Sequence, residues 1–160
     1  MKKYLLIILT LFLKPTLAIG CSCPQSLSMQ EIIKNAKYIF HCTILERKLV
    51  NYDICKSAGT EVSTSQVDSL RKTGCLASYY RYKVSVNKNY KNEVKPCFVY
   101  IETPIGGSMC EIFFEINKRY IIYLEDEFTD QVYCYLTSCD KVVGNSSKER
   151  RILYKELNVK

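Results

Sequence analysis

Hydrophobic and polar positions divide this chain into three stretches of different rhythm. The first is nearly all apolar, Tyr4 to Leu13 behind Lys2 and Lys3, and it is too short to cross a bilayer as a helix. Pro15 interrupts it, and Ala18-Ile19-Gly20 supplies small residues at the two positions that a signal peptidase reads. The pattern predicts a cleaved export signal over residues 1–20 and one mature domain over residues 21–160. The second rhythm is helical and brief. Ser28-Met29-Gln30-Glu31 reads as a capping box, with Leu27 and Ile32 at the staple positions and Ile33 and Ala36 continuing the apolar face. A helix from Met29 to Asn35 follows.

From Lys37 the period becomes that of strands. Tyr38 to Arg47 is an apolar run. Tyr80, Tyr82, Val84 and Val86 alternate with Arg81, Lys83, Ser85 and Asn87, the pattern of a half-buried strand. Cys97 to Thr103, Tyr120 to Leu124 and Gln131 to Thr137 are rich in β-branched and aromatic residues, and Phe113-Phe114 adds a short strand. Ser146 to Leu157 is charged, with Ile152, Leu153 and Leu157 on one face, which predicts a helix packed outside the sheet. Between the first two strands, Leu49 to Ser78 has little periodicity and reads as a long loop, of the kind that is functional or mobile. Cys55 and Cys75 stand near its ends as a staple. Five or six short strands with flanking helices predict a mainly β fold, a small OB-like Greek-key barrel, with a β-sandwich as the alternative. The chain shows no internal repeat, low-complexity tract or second-domain linker.

Charge narrows the partners. The formal net charge is +7, and removing residues 1–20 with their three lysines lowers it to +4. That does not argue for nucleic acid. It allows weak contact with acidic matrix polysaccharide or a membrane surface. Arg71-Lys72, Lys88, Lys91, Lys95 and the Lys148 to Arg151 cluster read as a solvated basic surface.

All nine cysteines lie in the mature region. In an exported chain they predict a disulfide framework, whose pairing spacing alone does not give. An odd count leaves one thiol free or linked to another molecule. Zinc–thiolate binding is the competing use, but paired Cys-x-x-Cys motifs are missing. The single histidine, His41, excludes a His-rich metal site and an HExxH helix. Lying within Tyr38-Ile39-Phe40-His41-Cys42, it reads as a strand residue with a satisfied hydrogen bond. Glu125-Asp126-Glu127 reads as a solvated hairpin tip and not a calcium or paired-carboxylate site. With no phosphate-binding glycine loop either, the sequence gives no sign of an enzyme or of a cofactor.

The chemistry that stands out is Cys21-Ser22-Cys23-Pro24, directly behind the export segment. Cleavage after Gly20 makes Cys21 the first residue, with its α-amino and carbonyl groups free as a chelating pair. The bacterial lipoprotein alternative, over Leu17-Ala18-Ile19-Gly20-Cys21, has Ala18 where such sites carry Leu, Val or Ile. An acylated amine does not chelate.

This opening resembles the mature start of the tissue inhibitors of metalloproteinases, which begin Cys-x-Cys. Tyr82-Lys83-Val84 with Lys88-Asn89-Tyr90-Lys91 is similar to their second strand. Phe98-Val99-Tyr100, Thr103-Pro104 and Cys110 are similar to their third strand and the loop after it, and Leu136-Thr137-Ser138-Cys139-Asp140 to their last barrel strand. The resemblance covers Cys21 to Leu157 and implies a netrin-like, OB-type inhibitory domain. It implies bridges Cys21–Cys110 and Cys23–Cys139 that hold the terminus rigid, and so limit the ordering cost of binding. It further implies inhibition of zinc metalloendopeptidases of the matrix-metalloprotease or adamalysin type. In that reading Cys21 chelates the protease's zinc and Ser22 enters the specificity pocket, while Cys23 and Pro24 follow the cleft. Gly107, Ser108 and Met109 form a second contact ridge, and the long loop adds a third. The chain departs from the family in lacking its third barrel bridge and its cysteine-rich C-terminal subdomain. Cys42, Cys55, Cys75, Cys97 and Cys134 are extra. A non-inhibitory binding module, with the terminus serving only as a staple, is the alternative. Asn145-Ser146-Ser147 is a glycosylation sequon.

Overall fold

The computed structural model describes residues 27–56, 59–105, 112–128, 133–136, 141–144 and 147–157. It opens on helix α1, Met29–Asn35, with both halves of the expected capping box in place: Glu31 N–H donates to the Ser28 hydroxyl, and the Glu31 carboxylate accepts from Ser28 N–H at 2.8 Å. The other end is capped from outside, by Lys91 Nζ donating to the carbonyls of Ile33 and Lys34 at 2.8 and 2.9 Å.

Two long strands form the spine. β1 runs Tyr38–Asp53 and β3 runs Leu76–Lys91, paired antiparallel throughout. Between them lie the short strand β2, Thr60–Glu61, a 3-10 turn over Thr64–Gln66 and helix α2, Val67–Thr73. The expected long loop is therefore corrected. Its two ends continue the strands and its middle is folded over the tip, so Leu49 to Ser78 is an arm. The polar alternation there did not register as strand because the arm projects beyond the core and leaves Glu46 to Leu49 exposed on both faces. Gly74 closes α2 in the left-handed region (φ 71°), and Cys75 N–H reaches back to the Leu70 carbonyl. This turn delivers Cys75 to Cys55, with 5.3 Å between their Cα atoms, and the expected staple is present as a disulfide.

The remaining strands are β4 (Phe98–Ile105), β5 (Arg119–Leu124), β6 (Tyr133–Tyr135) and β7 (Lys141–Gly144), and helix α3 spans Ser147–Glu156. The sheet order is β6-β4-β3-β1-β5-β7, with β2 beside β1. All pairs are antiparallel except β4 with β6. The chain thus builds a meander β1-β3-β4, crosses back to lay β5 beside β1, and returns to lay β6 beside β4. This is Greek-key connectivity of the OB type with flanking helices, the mainly β class that the strand pattern predicts.

Three expectations are corrected here. Phe113 and Phe114 form no strand; the chain is irregular there, Phe114 filling the core and Phe113 facing out. Glu125 to Glu127 are exposed but are no hairpin tip, because β5 pairs with β1 and β7 while β6 pairs with β4; Glu127 forms an ion pair with Lys37. β7 was not anticipated, since four residues give periodicity too little to act on.

Alternation along each strand separates two cores. Phe40, Cys42 and Ile44 of β1 join Tyr82, Val84, Ile101 and Ile122 on the inner face. Ile39, Ile121 and Tyr123 face outward, where α1 covers them with Ile33 and Ala36 and α3 with Leu153. A register shift between Ile44 and Glu46 reverses the alternation, so that Arg47 rather than Glu46 shares the face of Tyr82.

Candidate functional site

The residues expected to carry the chemistry fall into two groups. Cys21, Ser22, Cys23, Pro24, Gly107, Ser108, Met109, Cys110, Cys139 and Asn145 lie outside the described residues. What is described is the frame on either side of them. β4 ends at Ile105 and the segment after β6 begins at Leu136, whose N–H donates to the Glu102 carbonyl at 2.9 Å. β4 and β6 are parallel neighbours, so both leave the sheet at the same end.

The second group is the cysteines of the barrel and arm. Cys55 and Cys75 are joined. Asp53 stands beside them, but a disulfide offers no thiolate, and Asp53 is engaged by Lys56 at 3.3 Å and by the Cys55 N–H at 3.1 Å. Those three residues form a structural clasp and not a metal centre. Cys42 is fully buried in the inner core, and burial pushes its thiol up to about 12, which leaves it protonated and inert. Cys97 is an exposed free thiol at the foot of β4. Cys134 lies on β6 opposite Ile101.

Sequence reasoning missed a polar network at the base of the arm. Glu102, 1 % exposed, accepts from Arg81 Nε at 2.6 Å and from the Tyr52 phenol at 2.9 Å. Arg81 also donates to the Tyr52 oxygen at 2.6 Å and pairs with Glu61 of β2 at 3.1 Å. Burial and the neighbouring Glu102 carboxylate raise the Tyr52 phenol far above its ordinary range, so it stays a donor. The network ties β1, β2, β3 and β4 together and holds the arm against the sheet. Its only signal in the sequence was that Arg81 and Glu102 each fall at outward positions of alternating strands; their pairing needs the register, in which they stand directly opposite.

On the arm's inner side, Arg47 lies over the rings of Tyr80 and Phe113, at 4.9 and 4.7 Å from their centroids. Leu49 and Ile54 are more than half exposed. A groove of about 510 Å³ runs between Lys48–Asn51 of β1 and Glu61–Thr64. The arm is thus a disulfide-closed projection on which Leu49 and Ile54 are turned to solvent.

His41 differs from expectation. It is a strand residue, as predicted, but its buried Nε2 has no hydrogen-bond partner. Burial is the main cause of its lowered pKa, followed by Arg119 and Arg150. Among the described residues no helix is long and apolar enough to cross a membrane. In comparisons with protein-family models and with curated proteins, nothing matches this chain.

Proposed function

We propose that the exported chain is a stoichiometric protein inhibitor of zinc metalloendopeptidases. The observation that carries this reading is Cys21-Ser22-Cys23-Pro24 directly behind the export segment, on a chain with OB-type strand order. A catalytic zinc keeps one position open for water. The Cys21 amine and carbonyl displace that water and close a five-membered chelate ring. A free α-amine has a pKa near 8, and the metal favours its deprotonated form. Ser22 enters the specificity pocket, with Cys23 and Pro24 along the cleft and Gly107, Ser108 and Met109 as a second ridge. Bridges Cys21–Cys110 and Cys23–Cys139 would hold the terminus to the two segments that leave β4 and β6. The common exit of those strands supports that arrangement.

The arm adds a third contact and selects among proteases. Its support is the rigid clasp at Cys55–Cys75 and the exposed Leu49 and Ile54. The test is a titration of oxidised protein beginning at Cys21 against matrix-metalloprotease and adamalysin enzymes. Inhibition at one-to-one stoichiometry is expected, and a single alanine added before Cys21 should abolish it. Absence of inhibition by folded protein with a free amine, confirmed by intact mass, would overturn the reading in favour of a matrix or receptor binding module.

A further inference from the structure

The outer face of the sheet carries a second cluster, independent of the N-terminus. His41 projects there from β1, two residues after the outward-facing Ile39. Its partners directly across are Lys88 on β3 and Ile121 on β5. Side chains so paired have Cβ atoms about 5 Å apart. Arg119, two residues before Ile121 on β5 and opposite Thr43, is a diagonal neighbour at about 7–8 Å. Helix α3 covers this face with Leu153, and Arg150, one turn earlier, lies on the same stripe and close enough to act on the imidazole.

Three cations therefore share this face with one imidazole, and they outnumber the acid, Glu149, that α3 brings to it. Among the described residues Lys88, Arg119 and Arg150 form no ion pair. The acid that α3 brings to this face, Glu149, is engaged by the Tyr123 phenol at 2.6 Å. Lys88 is held in place by the Tyr154 hydroxyl at 3.0 Å and by the faces of Tyr90 and Tyr154. Both arginines are exposed, and beneath them the imidazole Nε2 is buried without a partner. Like charges brought this close, with a neutral base among them, are an arrangement that an anion completes.

We propose that this face binds a tetrahedral oxyanion of the sulfate or phosphate class between Arg119, Arg150 and Lys88, and that His41 takes up a proton from solvent as the anion binds. Guanidinium groups supply charge-assisted donors to such oxygens. The bound negative charge offsets the repulsion from Arg119 and Arg150 that adds to burial in keeping His41 neutral. By linkage, each stabilises the other to the same degree, so the anion binds more tightly as pH falls through the imidazole range. The ligand group is the same whether it is a free ion or a sulfate ester on an acidic polysaccharide.

One histidine makes the test direct, because its imidazole proton resonances report on this site alone. The full mature protein is titrated between pH 5 and 8 in chloride, inorganic sulfate, inorganic phosphate and a sulfated disaccharide, at matched ionic strength. The expected result is that sulfate raises the His41 midpoint by about one pH unit over chloride, equivalent to about tenfold tighter binding to the protonated form. R119Q and R150Q should each remove most of that rise, whereas R71Q, on the distant α2, should leave it. Response to the free ions but not to the disaccharide assigns the site to inorganic anion; a stronger response to the disaccharide assigns it to the ester. Equal midpoints in sulfate and chloride, or a rise that survives both R119Q and R150Q, would overturn the proposal.

Discussion

The two faces of the sheet bury side chains to the same depth but with different chemistry. On the inner face Phe40, Ile44, Tyr82, Ile101 and Ile122 have no solvent contact, and the rings of Tyr82 and Phe114 meet edge to face at 5.0 Å. Polar exceptions there are few, and Thr103 leaves its hydroxyl unpartnered. The outer face admits charge: Glu102 with Arg81, Glu149 with Tyr123, and His41 beside three cations. The contrast teaches that the inner face sets the fold, since apolar packing has one compact solution, while the outer face is where the sheet acquires pH and ligand sensitivity. A buried charge responds to its surroundings, and a buried isoleucine does not.

The contrast can be broken most severely from inside. Phe40→Ala should cost about 3–5 kcal/mol in urea unfolding, because it opens a cavity that neighbouring strands cannot close. A loss below 1 kcal/mol would show that the inner face is loosely packed. The outer face should respond to pairing more than to volume. Glu102→Ala leaves Arg81 and Tyr52 without their shared buried carboxylate, and the remaining ion pair of Arg81 with Glu61 is more exposed, so about 2–3 kcal/mol is expected. The double change E102M with R81M should recover most of that loss, whereas an equal loss in the double would make the network a matter of shape.

The smallest effect sharpens the comparison by pH. The lowered pKa of His41 means that the native state resists a proton that the unfolded chain accepts near pH 6.5. Its contribution is therefore complete above pH 6.5, is lost as pH falls from there toward the folded value, and is level below it. In chloride, the urea midpoint of the native protein should fall between pH 7 and pH 5, and H41Q should flatten this decline. A decline of the same steepness in H41Q would place its origin in other groups.

Legibility in the sequence followed the same division. Helix α1 was readable to the residue because its signals are local: Ser28 and Glu31 satisfy one another within a single turn. Strands β3, β4 and β5 were readable in kind but short by one to four residues at one end or both, since hydrophobic alternation fades where a strand leaves the core. The Cys55–Cys75 clasp was readable as a staple because both cysteines bracket one segment. Neither the Arg81–Glu102 pair nor the cation cluster at His41 was legible, because each joins residues distant in sequence through a strand register that no local pattern announces.

By itself, then, the sequence determined the mainly β class, the first helix, the alternating faces and the unusual Cys21-Ser22-Cys23-Pro24 opening, all of them properties of neighbours along the chain. Only the tertiary structure decided that the loop between the first strands is an arm, that β6 returns parallel beside β4, and that His41 stands unpartnered among Lys88, Arg119 and Arg150. Those outcomes depend on which strands lie side by side. That choice is made by the burial of two faces at once, a quantity that no single stretch of sequence contains.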